Sequence, residues 1–275
     1  MLAASLTLTG QIAHGGRIGP WAASLTLIWG GVAVAMALIL LVACRVRPGV
    51  ATAALVGVAV ACYPLAREWG EGPRLSPAPS GALRLRVVSA NLFHGNDDPD
   101  GMVRALLASG ADIMLLQEAG GNARNAVERL HGRYPYMTYC RPGCDLRIVS
   151  RFSLLPGERN SAFKTLRKFG VSALTTRIRM RDGQVVRLVN AHFPRPFPAE
   201  VQNQFRFGLI ATVAGLHEGR VIFGGDMNST PWLPTMRRQD ELLSPMRRWT
   251  RFLPSYPGRI TIGGSHVAVP MQILP

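Results

Sequence analysis

The chain has 275 residues, of which 48% are hydrophobic and 17% are charged, and its net charge is +15. This length accommodates one domain of about 200 residues and an appendage, and the composition is too apolar for an ordinary soluble protein. The positive charge favours an anionic partner, namely nucleic acid, phospholipid head groups or polyprenyl phosphates. An Arg-rich and Ala-rich genomic base composition produces the same charge, so charge alone does not identify the partner.

Apolar residues are concentrated near the amino terminus, in two runs separated by a basic turn. The first run, about residues 22–44, has no charged residue and exceeds the roughly 20 residues that span a bilayer. The second run, about residues 49–66, is shorter, and Arg45 and Arg47 lie between the two. The pattern predicts a transmembrane helical hairpin within a membrane anchor of residues 1–70. A cleaved signal peptide is the competing interpretation, although a second apolar run directly after the first argues against it.

The distribution of arginines predicts the orientation of this anchor, because cytoplasmic loops carry an excess of basic residues. Arg45 and Arg47 in the turn outnumber Arg17, which precedes the first run. We therefore expect the turn in the cytoplasm and the chain after Arg67 outside the membrane. Residues 71–82, rich in Pro, Ser and Gly, are predicted to be an extended linker.

From Leu83 onward, short apolar runs alternate with amphipathic segments. Strands are predicted at residues 83–92, 113–117, 146–150, 173–180, 185–192 and 221–225, and helices at residues 100–109, 123–130 and 200–216. Strands and helices mixed in this way indicate an α/β fold. We expect one such domain over residues 83–275.

Polar side chains follow four of the predicted strands. Asn91, Glu118 and His192 each stand at the end of one strand, and Asp226 with Asn228 follows the last. Strand ends are rigid positions from which side chains reach a shared pocket, so all five are expected to line one cleft. Two carboxylates, two amides and one imidazole suit Mg²⁺ and phosphoryl chemistry better than zinc chemistry.

Each of these residues, taken singly, also has a structural interpretation. Asn91 could cap the following segment, Glu118 could complement a helix N-terminus, and His192 could be a structural loop histidine. The Gly-Gly-Asp-Met-Asn segment at 224–228 is more specific, because two glycines let the backbone approach a ligand closely. Its Asp and Asn can both face a bound phosphate, and the alternative there is an Asx turn.

Cys140 and Cys144 flank a turn containing Pro142 and Gly143, which could bring the two sulfur atoms together. We expect a disulfide between them if the domain is extracytoplasmic, where disulfides persist. A zinc site is disfavoured, because no second Cys or His pair lies nearby to complete it.

Five segments in this order resemble the endonuclease/exonuclease/phosphatase superfamily, which includes DNase I-like nucleases, bacterial sphingomyelinases and inositol polyphosphate phosphatases. They are VVSANL around residues 88–92, DIMLLQE at 112–118, IVSRFSL at 148–154, VNAHFP at 189–194 and GGDMNSTPW at 224–232. The resemblance covers about residues 83–275 and is similar to that of a bacterial subgroup with amino-terminal membrane helices. It implies a two-sheet α/β sandwich of the DNase I type, preceded here by the transmembrane hairpin in a bacterial cytoplasmic membrane.

The resemblance also implies a role for each of the five polar residues. Glu118 would ligate Mg²⁺ or Mn²⁺, with Asn91 close to the metal. Asp226 would orient or deprotonate the attacking water. Asn228 and His192 would hold the phosphate and stabilise charge that develops on its oxygens.

The carboxyl end departs from the family pattern, which closes with an Ile-Asp-His segment and then a Ser-Asp-His segment. This chain has neither, and His266 lies in Gly-Ser-His-Val without the aspartate. The residues from Ala268 to Pro275 resemble the strand that leads into Ile-Asp-His in the membrane-anchored subgroup. We therefore expect a domain that is incomplete at its carboxyl end, His266 as a strand or loop residue, and weak hydrolysis by this chain.

The leading hypothesis from the sequence is a metal-dependent phosphoesterase acting on a phosphodiester, phosphomonoester or phosphoanhydride outside the membrane. Membrane anchoring favours a lipid-linked phosphate as the substrate. The basic charge favours nucleic acid as a partner, and hence a membrane-anchored nuclease. A catalytically dead family member is the third hypothesis, because the terminal motifs are missing and membership of a fold does not prove activity.

Overall fold

The computed structural model describes residues 25–43, 48–71, 84–138, 145–156, 173–195, 198–216, 219–251, 259–262 and 265–268. These residues form two compact units. The sheet unit is the described part of residues 77–197 and 201–228, and the terminal unit is the described part of residues 1–76, 198–200 and 229–275. The predicted boundaries of anchor, linker and domain stay predictions. Residues 72–82 of the linker, and both Cys140 and Cys144, lie outside the described residues.

The terminal unit begins with two apolar helices, α1 (Thr26–Ala43) and α2 (Pro48–Gly70). The helices pack through small residues. A Cβ atom added at Gly30 of α1 would lie 3.5 Å from Cys62 Sγ and 3.8 Å from the Ala61 carbonyl oxygen of α2. Glycine and alanine at such a contact let two helix backbones approach closely.

Among the described residues, Gly49–Gly70 of α2 is the one helical stretch long and apolar enough to cross a membrane, with a mean hydropathy of 1.8. The shorter apolar stretch of α1 is Ile28–Leu40. The second predicted run, about residues 49–66, therefore continues past residue 66 as a helix, and the first, about residues 22–44, is described as a helix over Thr26–Ala43. An ion pair from Arg67 to Glu71 (2.6 Å) supports the last turn of α2. Large apolar side chains are exposed along both helices: Ile28, Val32, Val34, Met36, Leu38, Ile39, Val50, Leu55, Val56, Tyr63 and Trp69.

The sheet unit contains two four-stranded mixed sheets. The first has the order β1-β2-β4-β3 and comprises β1 (Val87–Asn91), β2 (Ile113–Gln117), β3 (Tyr136–Met137) and β4 (Arg147–Ser150). The second has the order β5-β6-β7-β8 and comprises β5 (Ser153–Leu154), β6 (Ala173–Arg179), β7 (Val185–His192) and β8 (Arg220–Asp226). The pairs β1–β2 and β7–β8 are parallel, and the other neighbours are antiparallel.

Three helices accompany the sheets: α3 (Pro99–Ala108), α4 (Ala123–Glu128), which a 3₁₀ turn at Arg129–Gly132 extends, and α5 (Ala199–Ala214). The Asp98 side chain caps α3 by accepting a hydrogen bond from the Gly101 N–H (2.7 Å). Pro99 follows at the first helical position, where the missing N–H costs nothing.

The core has two layers because β2 is buried on both faces. Successive side chains of a strand point to opposite faces, so Ile113 and Leu115 pack toward Leu174 and Leu188 of the second sheet. The alternate residues of β2 pack against side chains from α3, α4 and the loops that follow them: Val103, Leu106, Ala126, Val127, Leu130 and Tyr134. The architecture is the predicted DNase I-like α/β sandwich.

After the sheet unit, the terminal unit continues with α6 (Pro234–Leu242) and a hairpin of β9 (Arg259–Ile262) and β10 (Ser265–Ala268). The two strands pair antiparallel, and His266 of β10 lies opposite Thr261. His266 is thus a strand residue, as expected.

Candidate active site

The parallel pair β1–β2 places the first two predicted site residues at one sheet edge. Asn91 is the last residue of β1 and lies opposite Gln117, so Glu118 follows directly beside it. The Asn91 amide nitrogen donates to Glu118 Oε1 (2.9 Å) and also to Asp226 Oδ2 (2.9 Å). One side-chain amide, with two hydrogens to donate, therefore bridges two carboxylates from different sheets.

The parallel pair β7–β8 brings His192 and Asp226 to the same place, because these two residues are opposite each other in register. His192 Nε2 lies 3.9 Å from Glu118 Oε1 and 3.9 Å from Asp226 Oδ2. The three side chains are 25%, 18% and 28% exposed for His192, Glu118 and Asp226. They are partly desolvated yet open to a ligand, and within the part of the chain that the structure describes no arginine or lysine pairs with Asp226.

Backbone strain is concentrated at this cluster. Phe93, Glu118 and Asn228 are the non-glycine residues with positive φ among the described residues, with values of 55°, 51° and 45°. Each such conformation costs on the order of 1–3 kcal/mol and persists only where the surroundings enforce it. Hydrogen bonds enforce it here: the Phe93 N–H donates to Asn91 Oδ1 (2.9 Å), and the Asn228 N–H donates to Asp226 Oδ1 (2.8 Å).

Gly225 permits the close approach of β8 to β7. Its φ is 136°, and a Cβ atom there would lie 1.9 Å from the Ala191 carbonyl oxygen. Only glycine fits without moving the backbone. Close approach of the backbone was one of the two features expected of the Gly-Gly-Asp-Met-Asn segment. Gly225 makes this approach to β7 and not to a ligand.

Asn228 occupies a different position from the other four predicted residues. Its side-chain nitrogen donates to the Phe193 carbonyl oxygen (2.8 Å), and its own carbonyl oxygen accepts from Gln202 Nε2 (2.9 Å). The amide thus holds the loop after β7, and it keeps one further N–H and its Oδ1 for a ligand.

His94 contacts the cluster although its sequence context did not single it out. Its backbone N–H donates to Glu118 Oε2 (3.1 Å), and its ring Nδ1 lies 2.7 Å from the same oxygen. The ring is 66% exposed. The sequence indicates a role for His94 only through its position three residues after Asn91. A histidine in an ordinary loop could have the same position.

A buried amide pair lies directly behind the cluster. Gln117 Nε2 donates to Asn190 Oδ1 (2.6 Å), and Asn190 Nδ2 donates to the carbonyl oxygens of Leu116 and Arg147 (both 2.9 Å). Gln117 and Asn190 are 1% and 0% exposed. The pair joins β7 to β2 and β4 at the level where Glu118 emerges, so it fixes the two sheets relative to each other there.

The pKa of Glu118 lies below its ordinary value. Burial alone would raise it, but hydrogen bonds from the Asn91 amide and from the His94 ring and backbone, together with the charge of nearby His192, outweigh the burial. Glu118 is therefore an anion at neutral pH, which is the state that a metal ligand requires.

A family model for the endonuclease/exonuclease/phosphatase family matches residues 88–266, which contain the whole cluster. The chain belongs to this family. The predicted membership of the family is confirmed. No curated protein matches the sequence.

Solved structures similar to this family member share little sequence with it. A beta toxin of Staphylococcus aureus is 16% identical, with a TM-score of 0.47, over 58% of this chain and 71% of the toxin. TDP2 of C. elegans is 16% identical, with a TM-score of 0.44, over 83% of this chain and 67% of TDP2. An endonuclease/exonuclease/phosphatase of Beutenbergia cavernae is 16% identical, with a TM-score of 0.43, over 58% of this chain and 52% of that protein.

Family members commonly use divalent metals, and the donor set of the cluster fits Mg²⁺ or Mn²⁺. Among the described residues, no three His, Cys, Asp or Glu side chains are grouped to hold a metal. Mg²⁺ does not need such a group, because one or two carboxylates, waters and substrate phosphate complete its octahedron. Each oxygen of Glu118 retains acceptor capacity beside its present hydrogen bonds.

Proposed function

We propose that this family member hydrolyses a phosphoester whose phosphate binds between Asn91, Glu118, His192 and Asp226. The observation that carries the proposal is the Asn91 amide bridging Glu118 Oε1 and Asp226 Oδ2, with His192 Nε2 3.9 Å from both oxygens. An arginine at these carboxylates would indicate a structural ion pair. Here they share a neutral donor, Glu118 has the exposed His94 ring as a second partner, and both carboxylates keep acceptor capacity for a metal or a water.

Each residue has a role that follows from its contacts. The two oxygens of Asp226 each accept a hydrogen bond, one from the Asn91 amide and one from the Asn228 N–H. Because these bonds fix the orientation of the carboxylate, its remaining lone pairs can orient or deprotonate a water molecule. His192 lies close enough to donate to a phosphate oxygen as charge develops there. Asn228 has one amide hydrogen left for the same purpose.

Glu118 would hold Mg²⁺ or Mn²⁺, with Asn91 fixing its orientation. The metal supplies Lewis-acid polarisation of the phosphoryl group when bound. Asn91 and His94 keep Glu118 ionised and fixed at both oxygens before any ligand arrives. The two residues therefore reduce the reorganisation that metal binding requires.

We further propose that α1 and α2 anchor the chain in a bacterial cytoplasmic membrane, with the catalytic domain on the outer side. The length and hydropathy of Gly49–Gly70 and the exposed apolar side chains of both helices support this location. Such a location favours a phosphodiester, phosphomonoester or phosphoanhydride carried by a lipid, because substrate and enzyme then share one surface.

The test is hydrolysis of bis-p-nitrophenyl phosphate by the full chain with Mg²⁺ or Mn²⁺, and again with chelator. We expect metal-dependent turnover that Glu118→Gln lowers by about 10²–10³-fold. The matched control is Asp182→Asn, in the exposed turn before β7, at the opposite end of that strand from His192. Hydrolysis that survives both chelator and Glu118→Gln would refute the proposal.

The net charge of +15 favours a second candidate, a membrane-anchored nuclease. Binding and cleavage of single-stranded and duplex DNA, measured across a salt series, separate the two. If the chain is a nuclease, the logarithm of its binding constant for DNA should fall linearly with the logarithm of the salt concentration. It should also hydrolyse DNA faster than a phospholipid-linked phosphate. Turnover restricted to the lipid-linked substrate would exclude it.

A further inference from the structure

Within the terminal unit, an ion-pair network joins the last turn of α2 to the segment that follows α6. Glu68 is 1% exposed, and its Oε2 lies 2.8 Å from Arg248 Nη2 and 3.5 Å from Arg251 Nη1. Arg248 also binds Asp240 (3.0 Å), and Arg251 also binds Glu71 (3.0 Å). The segment that carries both arginines is therefore fixed to the end of α2.

This network marks where α2 leaves the hydrocarbon, because charged groups at the centre of a bilayer are costly. From Pro48 to Arg67 the helix rises about 30 Å at 1.5 Å per residue, which equals the thickness of the hydrocarbon layer. Glu68 and its partners then lie at the level of the head groups. Residues 246–251 are held at that same level by Arg248 and Arg251.

The side chains that this segment exposes suit a membrane interface. Trp249 is 62% exposed and Trp69 on the last turn of α2 is 73% exposed. Tryptophan is enriched at head-group level, where its ring is half in an apolar medium and its N–H reaches water. Arg247 is also exposed and makes no ion pair with any residue that the structure describes.

Charge favours anionic lipid over neutral lipid at this surface. Residues 67–71 and 237–251 contain six arginines and four acidic residues. Glu68, Glu71 and Asp240 already pair with Arg67, Arg248 and Arg251, and Glu241 pairs with Arg238. The exposed Arg247 adds a positive charge to this surface, and each basic residue near an anionic surface adds attraction.

We propose that residues 246–251, together with the last turn of α2, form a contact surface for anionic phospholipid head groups. The inference rests on the proposed membrane location. Glu68 of α2 binds Arg248, which is 180 residues away in sequence, and so joins this segment to the helix. The segment then lies on the bilayer and contacts phosphate-bearing lipid through Arg247 and Trp249.

The experiment reconstitutes the full chain in lipid nanodiscs with and without acyl-brominated phospholipid, since bromine quenches nearby tryptophan. The chain has five tryptophans, so the emission of Trp249 is obtained as the difference between the parent and Trp249→Phe. The matched control difference uses Trp232→Phe, because Trp232 is 2% exposed. Discs contain phosphatidylcholine alone or phosphatidylcholine mixed with phosphatidylglycerol.

We expect bromine to quench Trp249 but not Trp232, and to quench Trp249 more strongly in phosphatidylglycerol discs. Arg247→Gln should abolish the difference between the two lipids, and Glu68→Gln should lower the quenching in both by releasing the segment. Unquenched Trp249 in discs that retain the protein, or equal quenching in both lipids, would overturn the inference. A chain that does not enter discs at all would instead refute the membrane location on which the inference rests.

Discussion

The network at the end of α2 and the active-site cluster, both within the described residues, differ in the partners that their carboxylates have. In the network at the end of α2, Glu68, Glu71 and Asp240 each lie within 3.0 Å of an arginine. In the active-site cluster, Glu118 and Asp226 share a neutral amide, His192 Nε2 lies 3.9 Å from both, and the His94 ring lies 2.7 Å from Glu118 alone.

The difference shows how to separate a functional cluster from a structural one within one chain. A buried carboxylate that serves stability is neutralised by close partners, because an unpaired buried charge is expensive. A carboxylate that serves chemistry is not paired with a close arginine, and the fold tolerates strained backbone to place it. Glu118, with φ 51° and the neutral Asn91 amide as the donor at Oε1, is of the second kind.

The comparison predicts that Asp226→Asn changes rate far more than stability. Loss of a positioned base commonly costs about 10²–10⁴-fold in rate. The asparagine keeps the volume of Asp226 but loses the acceptor pair that serves Asn91 and the Asn228 N–H together, so unfolding free energy should fall by about 1 kcal/mol. Hydrolysis rate and chemical unfolding, each against Asp182→Asn as the control, measure the two effects. A variant with an unimpaired rate would contradict the role of Asp226.

The opposite result is expected for Glu68→Gln. Removing one partner of a buried ion pair costs about 3–5 kcal/mol, whereas the rate per folded molecule should not change. Chemical unfolding in detergent, followed by tryptophan fluorescence, measures the loss. Glu241→Gln is the matched control, because its pair with Arg238 is exposed on both sides and contributes at most about 1 kcal/mol. Equal effects of the two variants would show that the network does not stabilise the terminal unit.

Continuous apolar runs with polar ends were predictable in detail. The bounds of β2 and β7 agree with the predicted 113–117 and 185–192, because each strand is a run of apolar residues that a polar side chain ends. Parallel neighbours then bring Asn91, Glu118, His192 and Asp226 to one edge without further information. Their catalytic and metal-binding roles stay predictions.

Elements without an apolar pattern escaped prediction for physical reasons. Helix α6 is rich in charged residues and has few apolar ones, and strands β3 and β5 have two residues each. His94 contacts Glu118, whose positive φ no propensity scale assigns to glutamate, so neither the contact nor the conformation was predictable. The Gln117–Asn190 bond joins residues 73 positions apart, and sequence spacing carries no signal for such a pair.

That buried pair offers a sharper test of the comparison, because it is neutral and lies between the site and the core. Asn190→Ala leaves the Leu116 and Arg147 carbonyl groups without their donor, and an unsatisfied buried group costs about 1–3 kcal/mol. We expect lower unfolding free energy and a lower rate together, since Glu118 directly follows Gln117 and His192 lies two residues after Asn190. Asn122→Ala, which removes only an exposed hydrogen bond, is the control and should stay within about 0.5 kcal/mol.

The smallest effect expected is the pH dependence of stability that Glu118 contributes in the absence of metal. Its folded-state pKa is lowered chiefly by Asn91 and His94, whose hydrogen bonds outweigh the burial that would raise it. A carboxyl group whose pKa is lower in the folded than in the unfolded state stabilises the fold. This contribution is fully present above the pKa of the unfolded state, about 4.3, and is lost as the pH falls through the pKa of the folded state. The neutral glutamine of Glu118→Gln lacks this contribution. The difference in unfolding free energy between parent and variant, measured with chelator present, should therefore be constant near neutral pH and shrink on acidification below about pH 4.3. A difference that grows on acidification would mean that burial dominates and that Glu118 is not held as an anion.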